Sequence, residues 1–262
     1  MRYAILGKGF IFPRHVEAIK DTGGEVLLTC DIDPDKKADF TNYRDMFESK
    51  AMEDIDAIVI CTPNYLHPEM VRDALRTGRK VLCEKPLSIN TDFSFMEGVS
   101  IVLQLRYHPM LDEICEKFKK AKNARVILKA YRDEKFWASW KGSEAMSGGV
   151  VFTLGPHIFD LLVFALGPKY DIISANDSMK KSTGTVKIGD VTVDYHLEFL
   201  DSREGQTRHI EIDGEKFILS IKDNLSFEGL HDQVHQAFID GVSPGIEEVI
   251  PSIQLMNDIK KF

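Results

Sequence analysis

The stretch that decides the fold reads Tyr3-Ala4-Ile5-Leu6-Gly7-Lys8-Gly9-Phe10-Ile11-Phe12. Four apolar residues indicate a short buried strand, and a Gly-x-Gly turn follows at once. Gly7 allows the tight turn, and Gly9 lets the backbone approach a pyrophosphate at the N-terminus of the next helix. The third position of this fingerprint is normally small, but here it is Phe12, which can shift the helix start to Pro13. The stretch therefore predicts a dinucleotide-binding domain.

The N-terminal part of the chain alternates apolar strands with helices. The strands are expected at 3–6, 26–30, 57–61, 81–83 and 99–105, and the main helices start near residue 14 and span about 67–77. Continuous apolar strands separated by helices are typical of a parallel sheet that is covered on both faces.

After Pro109 the pattern changes. An amphipathic helix at 111–120, an alternating strand at 124–132 and an apolar helix at 157–166 precede alternating segments over 170–220, and helices at 230–240 and 246–260 finish the chain. Alternation split by glycines predicts an antiparallel meander. The fold class is therefore α/β. We expect an N-terminal Rossmann domain with a parallel sheet over 1–107 and a C-terminal α+β domain with an open, mostly antiparallel sheet over 108–262.

Composition excludes several classes of protein. The net charge of −8 argues against a general nucleic-acid binder. No apolar run reaches the ~18 residues needed to span a bilayer, and the N-terminus enters a strand directly, so we expect a soluble cytoplasmic protein with no membrane partner. The cysteines lie far apart and are expected as buried thiols, with no metal site; they are Cys30, Cys61, Cys83 and Cys115.

Polar residues follow the predicted strands at the edge where ligands bind in open α/β sheets. Asp31 comes about 20 positions after the turn and can accept hydrogen bonds from the adenosine ribose. Ile32 follows it, and no neighbouring Arg is offered for a 2′-phosphate, which favours NAD over NADP. Pro63 and Asn64 can line the nicotinamide ribose, while a simple turn and helix start explain Asn64 and His67 equally well.

Glu84-Lys85-Pro86 leaves the fourth strand at the same edge. Proline removes a backbone donor and pushes Lys85 into an extended conformation, which fixes the direction of its ammonium group. Without other motifs, an ordinary strand exit with a solvated lysine would be the simpler interpretation.

Together these motifs resemble the glucose–fructose oxidoreductase/inositol dehydrogenase family. The resemblance rests on Gly7-x-Gly9 with His15, Thr62-Pro63-Asn64-x-x-His67, Glu84-Lys85-Pro86 and Gly149…Gly155-x-His157-x-x-Asp160. Four further segments are similar to the UDP-N-acetyl-2-amino-2-deoxyglucuronate 3-dehydrogenases of bacterial surface-polysaccharide synthesis: 14–23, 63–67, 103–106 and 139–142. The segment between Pro86 and Leu103 is shorter than in the family and leaves room for at most two helical turns around 91–97.

The resemblance implies a cis bond before Pro86 and a homodimer or homotetramer built through the C-terminal sheet. It also implies a cofactor site formed by Gly7, Gly9, Phe10, Ile11, Asp31, Thr62, Pro63, Asn64, His67, Glu84, Lys85 and Gln104. In the family, the residues that match Lys85 and His157 flank the reacting hydroxyl. The acid often found four residues before this histidine is Thr153 here, so a proton relay through that position is excluded.

A histidine with a pKa near 6.5 suits a general base, and a protonated lysine can polarise the hydroxyl. We therefore expect His157 as the base and Lys85 as its partner, with the reverse assignment open. Asp160 can orient the His157 ring, or it can be a solvated or capping residue. These residues make Lys85 and His157 the candidate catalytic pair.

Cationic and aromatic residues of the C-terminal part can bind a carboxylate or diphosphate and stack on uracil. They are Arg106, Lys129, Arg132, Lys141, Tyr107, Trp137 and Trp140, with His231 as a weaker candidate. A solvated strand edge with core aromatics would explain each of them singly. The residues expected at the substrate are Arg106, Tyr107, Trp140, Lys141, Thr153 and Asp160.

The expected activity is NAD-dependent oxidation of the C3 hydroxyl of a UDP-linked N-acetylaminosugar uronate to a 3-keto sugar. Two alternatives stay open at this point. One is a dehydrogenase of a free polyol or sugar such as inositol, and the other is a non-catalytic NAD-binding regulatory protein with the same fold.

Overall fold

The computed structural model describes residues 1–93, 96–219 and 229–262, which form two compact units. The first unit comprises Met1–Ser88, Asp92–Val102 and Leu230–Ile246, and the second comprises Ile89–Thr91, Leu103–Gly229 and Glu247–Phe262. The division expected at residue 107 placed 230–246 in the C-terminal domain, whereas in the structure this segment packs with the first unit.

The first unit is built on a five-stranded parallel sheet. Its strands are β1 (Arg2–Leu6), β2 (Glu25–Cys30), β3 (Ala57–Ile60), β4 (Lys80–Cys83) and β5 (Val99–Ile101), in the order β2-β1-β3-β4-β5. The last residues of the strands pair in register: Leu6 lies beside both Cys30 and Ile60, and Cys83 lies beside both Ile60 and Ile101. The loops that follow these strands therefore leave the sheet at one edge, as predicted.

The helices of this unit are α1 (Phe12–Asp21), α2 (Tyr43–Glu48), α3 (His67–Arg76) and, from the distant segment, α8 (His231–Asp240). Helix α1 begins at Phe12, one residue before the predicted Pro13. Phe12 is half-buried, and the Lys8 ammonium lies 5.5 Å from its ring centroid. The aromatic residue at the third fingerprint position is therefore accommodated at the helix start.

The second unit contains a six-stranded mixed sheet. Its strands are β6 (Asn123–Tyr131), β7 (Tyr170–Asp177), β8 (Lys181–Ile188), β9 (Val191–Leu200), β10 (Thr207–Ile212) and β11 (Glu215–Ile218), in the order β11-β10-β6-β9-β8-β7. Only the central β6–β9 pair is parallel among these pairings, so the sheet is mostly antiparallel, as predicted.

The helices of the second unit are α4 (Leu111–Phe118), α5 (Glu134–Ala138), α6 (Glu144–Ser147), α7 (Gly149–Leu166) and α9 (Ile246–Lys261). Helix α7 packs against β8 and β9 and begins at Gly149, well before the predicted start at His157. The glycines and Pro156 have low helical propensity, so the sequence did not predict this part of the helix. Burial stabilises it in the structure. Ser94 and Phe95, within the predicted short helix around 91–97, lie outside the described residues.

One helical stretch in the described part of the chain, Glu144–Leu166, is long and apolar enough to cross a membrane. Of its most apolar window, 78% is buried inside the protein, which is the pattern of a core helix. The thiols of Cys30, Cys61 and Cys83 are free and buried, as predicted, while Cys115 is half-buried.

Candidate active site

The glycine turn after β1 is shaped by the neighbouring strands. Gly7 has φ +90°, and a Cβ atom there would lie 2.9 Å from the carbonyl oxygen of Cys61. Its N–H donates to the carbonyl oxygen of Cys30 over 2.7 Å. A Cβ at Gly9, in contrast, would meet nothing within 4 Å. Gly7 is thus fixed by the sheet, and Gly9 leaves the open space that a pyrophosphate needs at a helix N-terminus.

Asp31 is tied to this turn. Its Oδ2 accepts from the Lys8 N–H over 2.6 Å, and its Oδ1 accepts from the Asp33 N–H over 2.9 Å. Phe10, in the glycine turn, and Ile32, the residue after Asp31, are each 88% exposed. A fixed carboxylate and exposed apolar side chains suit an adenosine ribose and base, so Asp31, Phe10 and the adjacent Ile11 stay predicted cofactor residues.

His67 links two of the loops at the sheet edge. It is 1% exposed, and its Nδ1 lies 2.8 Å from the carbonyl oxygen of Pro86 while its Nε2 lies 2.9 Å from that of Thr62. Burial lowers the pKa of His67, although both carbonyl oxygens oppose that shift. This histidine therefore holds the Thr62-Pro63-Asn64 loop against the loop after β4. Its direct contact with a cofactor stays a prediction, as does that of Asn64, which is 4% exposed.

The Lys85–Pro86 peptide bond is cis, which confirms the expectation from the resemblance. The Lys85 N–H donates to Glu84 Oε2 over 3.1 Å, and Glu84 Oε1 lies 3.0 Å from His15 Nε2. Burial alone would raise the pKa of Glu84, but the His15 hydrogen bond and the electrostatic effect of His15, His231 and Lys85 outweigh it and lower the pKa to about 2. Glu84 is thus an anion behind the candidate catalytic lysine.

Two histidines of α8 complete this environment. His231 and His235 are 5% and 0% exposed, and His235 Nε2 lies 2.9 Å from His15 Nδ1. Sequence reasoning missed His235 and its contact with His15; the available signal was the i, i+4 spacing to His231 on one helix face. Among the described residues, the donor atoms of His15, Glu84 and His231 lie within 4.8 Å of one another and could hold a metal ion.

His157 lies in the middle of α7 in the second unit and is 5% exposed. Thr153 is one turn earlier on the helix and is half-buried. Pro156, directly before His157, leaves the helix without one backbone N–H. The helix therefore presents a buried histidine with no acid four residues before it, and the catalytic role of His157 stays a prediction.

Asp160 pairs with Arg106, and both had been expected at the substrate. Arg106 Nε and Nη2 donate to the two carboxylate oxygens over 2.7 and 2.9 Å, and the guanidinium lies 3.9 Å from the Phe164 ring centroid. Burial raises the pKa of Asp160, and Arg106 partly offsets this shift. The pair fastens α7 to the turn Gln104–Tyr107, in which Gln104 is 7% exposed and Tyr107 half-buried.

The predicted cationic cluster is divided between the two faces of the second sheet. Lys129 lies on the same face as Arg125 and Ile127 and pairs with Glu198 at 3.3 Å. Arg132 lies beyond the end of β6, with its guanidinium 5.0 and 5.3 Å from the ring centroids of Phe136 and Phe199. Side chains alternate between the two faces of a sheet along the chain, so Arg132, three positions after Lys129, faces the opposite side.

Arg132 is the member of this cluster that suits an anion. Its Nη1 donates to the Tyr131 carbonyl over 2.9 Å, and its buried Nε has no hydrogen-bond partner in the described part of the chain. Burial lowers its pKa. Lys141 lies 5.9 Å from the Phe136 ring centroid and 5.7 Å from that of Trp140. A guanidinium with a spare donor among aromatic rings is suited to a carboxylate or phosphate.

Comparison with known proteins shows similarity over the N-terminal part of the chain. Residues 1–96 match the family described as "Oxidoreductase family, NAD-binding Rossmann fold". Inositol 2-dehydrogenase of Rhodococcus erythropolis is 34% identical over 103 residues, covering 36% of this chain and 30% of that protein. Myo-inositol 2-dehydrogenase of Thermotoga maritima is 25% identical over 210 residues, covering 73% and 62%. The chain thus spans less than two thirds of the length of these curated relatives.

A solved structure extends the likeness to both units. The WlbA (WbpB) dehydrogenase from Thermus thermophilus, in complex with NAD and UDP-GlcNAcA, is 27% identical, with a TM-score of 0.84 over 100% of this chain and 95% of that one. The glycine turn, the sheet edge with its cis-proline and these likenesses agree. Residues 1–96 are therefore similar to the oxidoreductases with an NAD-binding Rossmann fold, and the whole chain is similar in fold to a solved dehydrogenase.

Proposed function

We propose that this chain oxidises a secondary hydroxyl group with NAD as the hydride acceptor. The observation that carries the proposal is the setting of Lys85, which follows β4 with its backbone N–H fixed by Glu84 and its carbonyl joined to a cis-proline. This lysine leaves the same sheet edge as the glycine turn after β1. That edge is where doubly wound folds bind dinucleotides.

The chemistry divides between cofactor and protein. Bound NAD supplies the hydride acceptor, and the protein handles the hydroxyl proton. In our proposal His157 takes this proton, while the Lys85 ammonium donates a hydrogen bond to the developing alkoxide oxygen. As the C–H bond breaks, its electron pair leaves with the hydride and the C=O bond forms. Thr153 carries no charge, so His157 and Lys85 handle the proton between them.

Lys85→Met and His157→Asn test these roles. Each variant should lower kcat at least a thousand-fold in single-turnover measurements of nicotinamide reduction and change the NAD Kd less than threefold. Lys80→Met, at the opposite end of β4, and His108→Asn, another buried histidine, are the matched controls. Unchanged turnover in Lys85→Met or His157→Asn would remove that residue from the mechanism.

We further propose that the substrate is a UDP-linked N-acetylaminosugar uronate, oxidised at its 3-hydroxyl. Arg132, with its spare Nε donor, and Lys141 beside Trp140 supply cations and an aromatic ring for a carboxylate, a diphosphate and a uracil. The Thermus dehydrogenase was solved with UDP-GlcNAcA bound, which supports the same class here. The 3-keto product would be aminated later, as in lipopolysaccharide sugar synthesis.

Arg132→Gln separates this substrate from the inositol alternative. The variant should raise KM for UDP-GlcNAcA at least tenfold, because a charge-assisted hydrogen bond is lost, and it should leave any activity on myo-inositol within twofold. Wild-type turnover of myo-inositol with none of UDP-GlcNAcA would contradict the nucleotide-sugar proposal. NAD binding with no turnover of either compound would instead favour a regulatory protein.

A further inference from the structure

A chain of buried hydrogen bonds runs behind Lys85 within the first unit. It starts at His235 on α8, passes through His15 on α1 and ends at Glu84 after β4. The successive distances are 2.9 Å from His235 Nε2 to His15 Nδ1, and 3.0 Å from His15 Nε2 to Glu84 Oε1. The other carboxylate oxygen, Oε2, accepts the Lys85 N–H. His15 and His235 are each 0% exposed, so these bonds are shielded from bulk solvent.

The chemistry of the groups fixes the direction of this chain. Ionised Glu84 can only accept, so His15 Nε2 must donate to it. His15 Nδ1 can then accept from the Nε2–H of His235. His235 stays neutral because burial lowers its pKa to about 2. Its remaining nitrogen, Nδ1, has no hydrogen-bond partner among the described residues, as suits a bare lone pair.

We propose, building on the function above, that His15 and His235 are positioning residues for the hydride-transfer step: they hold the Glu84 side chain in its orientation, and Glu84 in turn fixes the backbone of Lys85. The lysine needs this support because its ammonium must meet a hydroxyl within hydrogen-bond reach, and small misplacements cost large factors in rate. The hydrogen bonds thus connect α8, near the C-terminus, with the loop after β4, which is distant from α8 in the sequence.

Glu84 interacts electrostatically with titratable groups of several elements. They are His15 on α1, His67 on α3, His231 and His235 on α8, the thiols of Cys61 and Cys83, and Lys85. His231 Nε2 lies 3.9 Å from Glu84 Oε1, beyond hydrogen-bond distance, and burial lowers its pKa to about 4. The hydrogen bond from His15 is therefore the contact through which a substitution should act.

The test compares His15→Leu with His15→Gln. Leucine removes the donor to Glu84, whereas the glutamine amide can place an N–H where Nε2 lies. We expect His15→Leu to lower kcat at least tenfold, with KM for the sugar and Kd for NAD within threefold, and His15→Gln to keep kcat within threefold of wild type. His209→Leu, at a buried histidine of the second unit, is the control and should keep wild-type kcat.

The pH profile provides a readout that a purely structural role would not move. Without the His15 donor, burial should raise the pKa of Glu84, so the acid limb of kcat should move to higher pH in His15→Leu. His15→Gln should restore the wild-type profile. A wild-type kcat and pH profile in His15→Leu, or a His15→Gln enzyme as slow as His15→Leu, would overturn the proposal.

If His15→Leu does not fold, His235→Phe and His235→Gln test the hydrogen bond between His235 and His15. Phenylalanine keeps a ring at the edge contact with Tyr3, 5.9 Å between centroids, but donates nothing. His235→Phe should lower kcat three- to tenfold, and His235→Gln should restore it. Equal kcat in both variants and the wild type would contradict the role of His235.

Amide exchange at Lys85 separates this proposal from the proposed activity. Loss of the Glu84 orientation should speed hydrogen exchange of the Lys85 N–H at least tenfold in the donor-free variants, whether or not any sugar is turned over. If wild type turns over no sugar but exchange still responds, the proposed activity fails and the positioning chain stands. Unchanged exchange would overturn the chain, as would a tightly bound stoichiometric metal whose removal by EDTA abolishes activity, because a cation would replace the His15 proton.

Discussion

Gly7 and Gly9 occupy the same turn under different constraints. Gly7 has φ +90° and lies against the Cys61 carbonyl, whereas Gly9 lies outside the left-handed region beside open space. Gly7 is required by the backbone conformation of the turn, and Gly9 is required by the pyrophosphate that we expect in the open space.

Alanine at each position should separate these two requirements. Gly7→Ala should cost about 1–3 kcal/mol of unfolding free energy because of backbone strain and the close carbonyl. Gly9→Ala should leave stability within about 0.5 kcal/mol while weakening NAD binding at least tenfold, since the added methyl would meet the pyrophosphate. Urea unfolding and NAD titration measure both effects; equal loss of stability in the two variants would contradict this assignment.

The Arg106–Asp160 ion pair leads to a second prediction about single residues. Asp160→Asn removes the bidentate partner of a buried guanidinium and leaves it only Glu248, 3.6 Å from Nη1, so we expect a loss of about 2–4 kcal/mol in urea unfolding. The double variant Arg106→Met, Asp160→Leu removes both charges and should recover most of that loss. If Asp160→Asn loses less than about 1 kcal/mol, the pair does not hold α7 in place and a substrate role for these residues becomes the better account.

At the scale of elements, α8 makes stability depend on pH. Burial lowers the pKa of His231 to about 4 and that of His235 to about 2, while the unfolded chain protonates both near 6.5. Below pH 6.5 the unfolded state therefore binds more protons than the folded state. The stability present above pH 6.5 is lost as the pH falls toward 4, and toward 2 for His235. Glu84, whose pKa is lowered to about 2, contributes a further loss of stability only when the pH falls below its ordinary pKa of 4.5.

Urea unfolding between pH 7 and 5 checks this dependence. The slope should be on the order of 1 kcal/mol per pH unit for each histidine. His235→Phe should remove the contribution of one histidine to this slope. Gln236→Leu, on the exposed face of α8, should leave the slope unchanged. A slope that is the same in His235→Phe and wild type would show that His235 titrates normally in the folded protein.

At the scale of the whole molecule, the six-stranded sheet is the surface that we expect to build an oligomer. One face of β6 presents residues Arg125, Ile127, Lys129 and Tyr131, which are exposed or half-buried, in contrast to the buried residues that alternate with them. Ile127→Glu should convert a dimer or tetramer to a smaller species in light scattering. Val242→Glu, 72% exposed in the first unit, is the matched control. A monomeric wild type would contradict the oligomer.

Local chemistry explains which parts of this architecture were predictable. The glycine turn and the apolar strands are local patterns that appear where their residues indicate, except that β5 ends at Ile101 and the predicted strand ran to Leu105. The cis-proline, which the family resemblance implied, is also present. The start of α7 was missed because glycines and a proline weaken helical propensity, and only burial within the second unit stabilises that stretch. The pairing of Arg106 with Asp160 was missed because two side chains distant in sequence meet only after folding.

The sequence by itself determined the parallel sheet, the glycine turn after β1 and the edge that carries Lys85, because strand periodicity, glycine turns and proline geometry act over a few residues. Only the tertiary structure decided the environment of that lysine. It joined residues 230–246 to the first unit and brought His15 and His235 to Glu84. The physical reason is that buried polar groups must find partners wherever the packed chain offers them, and that choice depends on long-range packing.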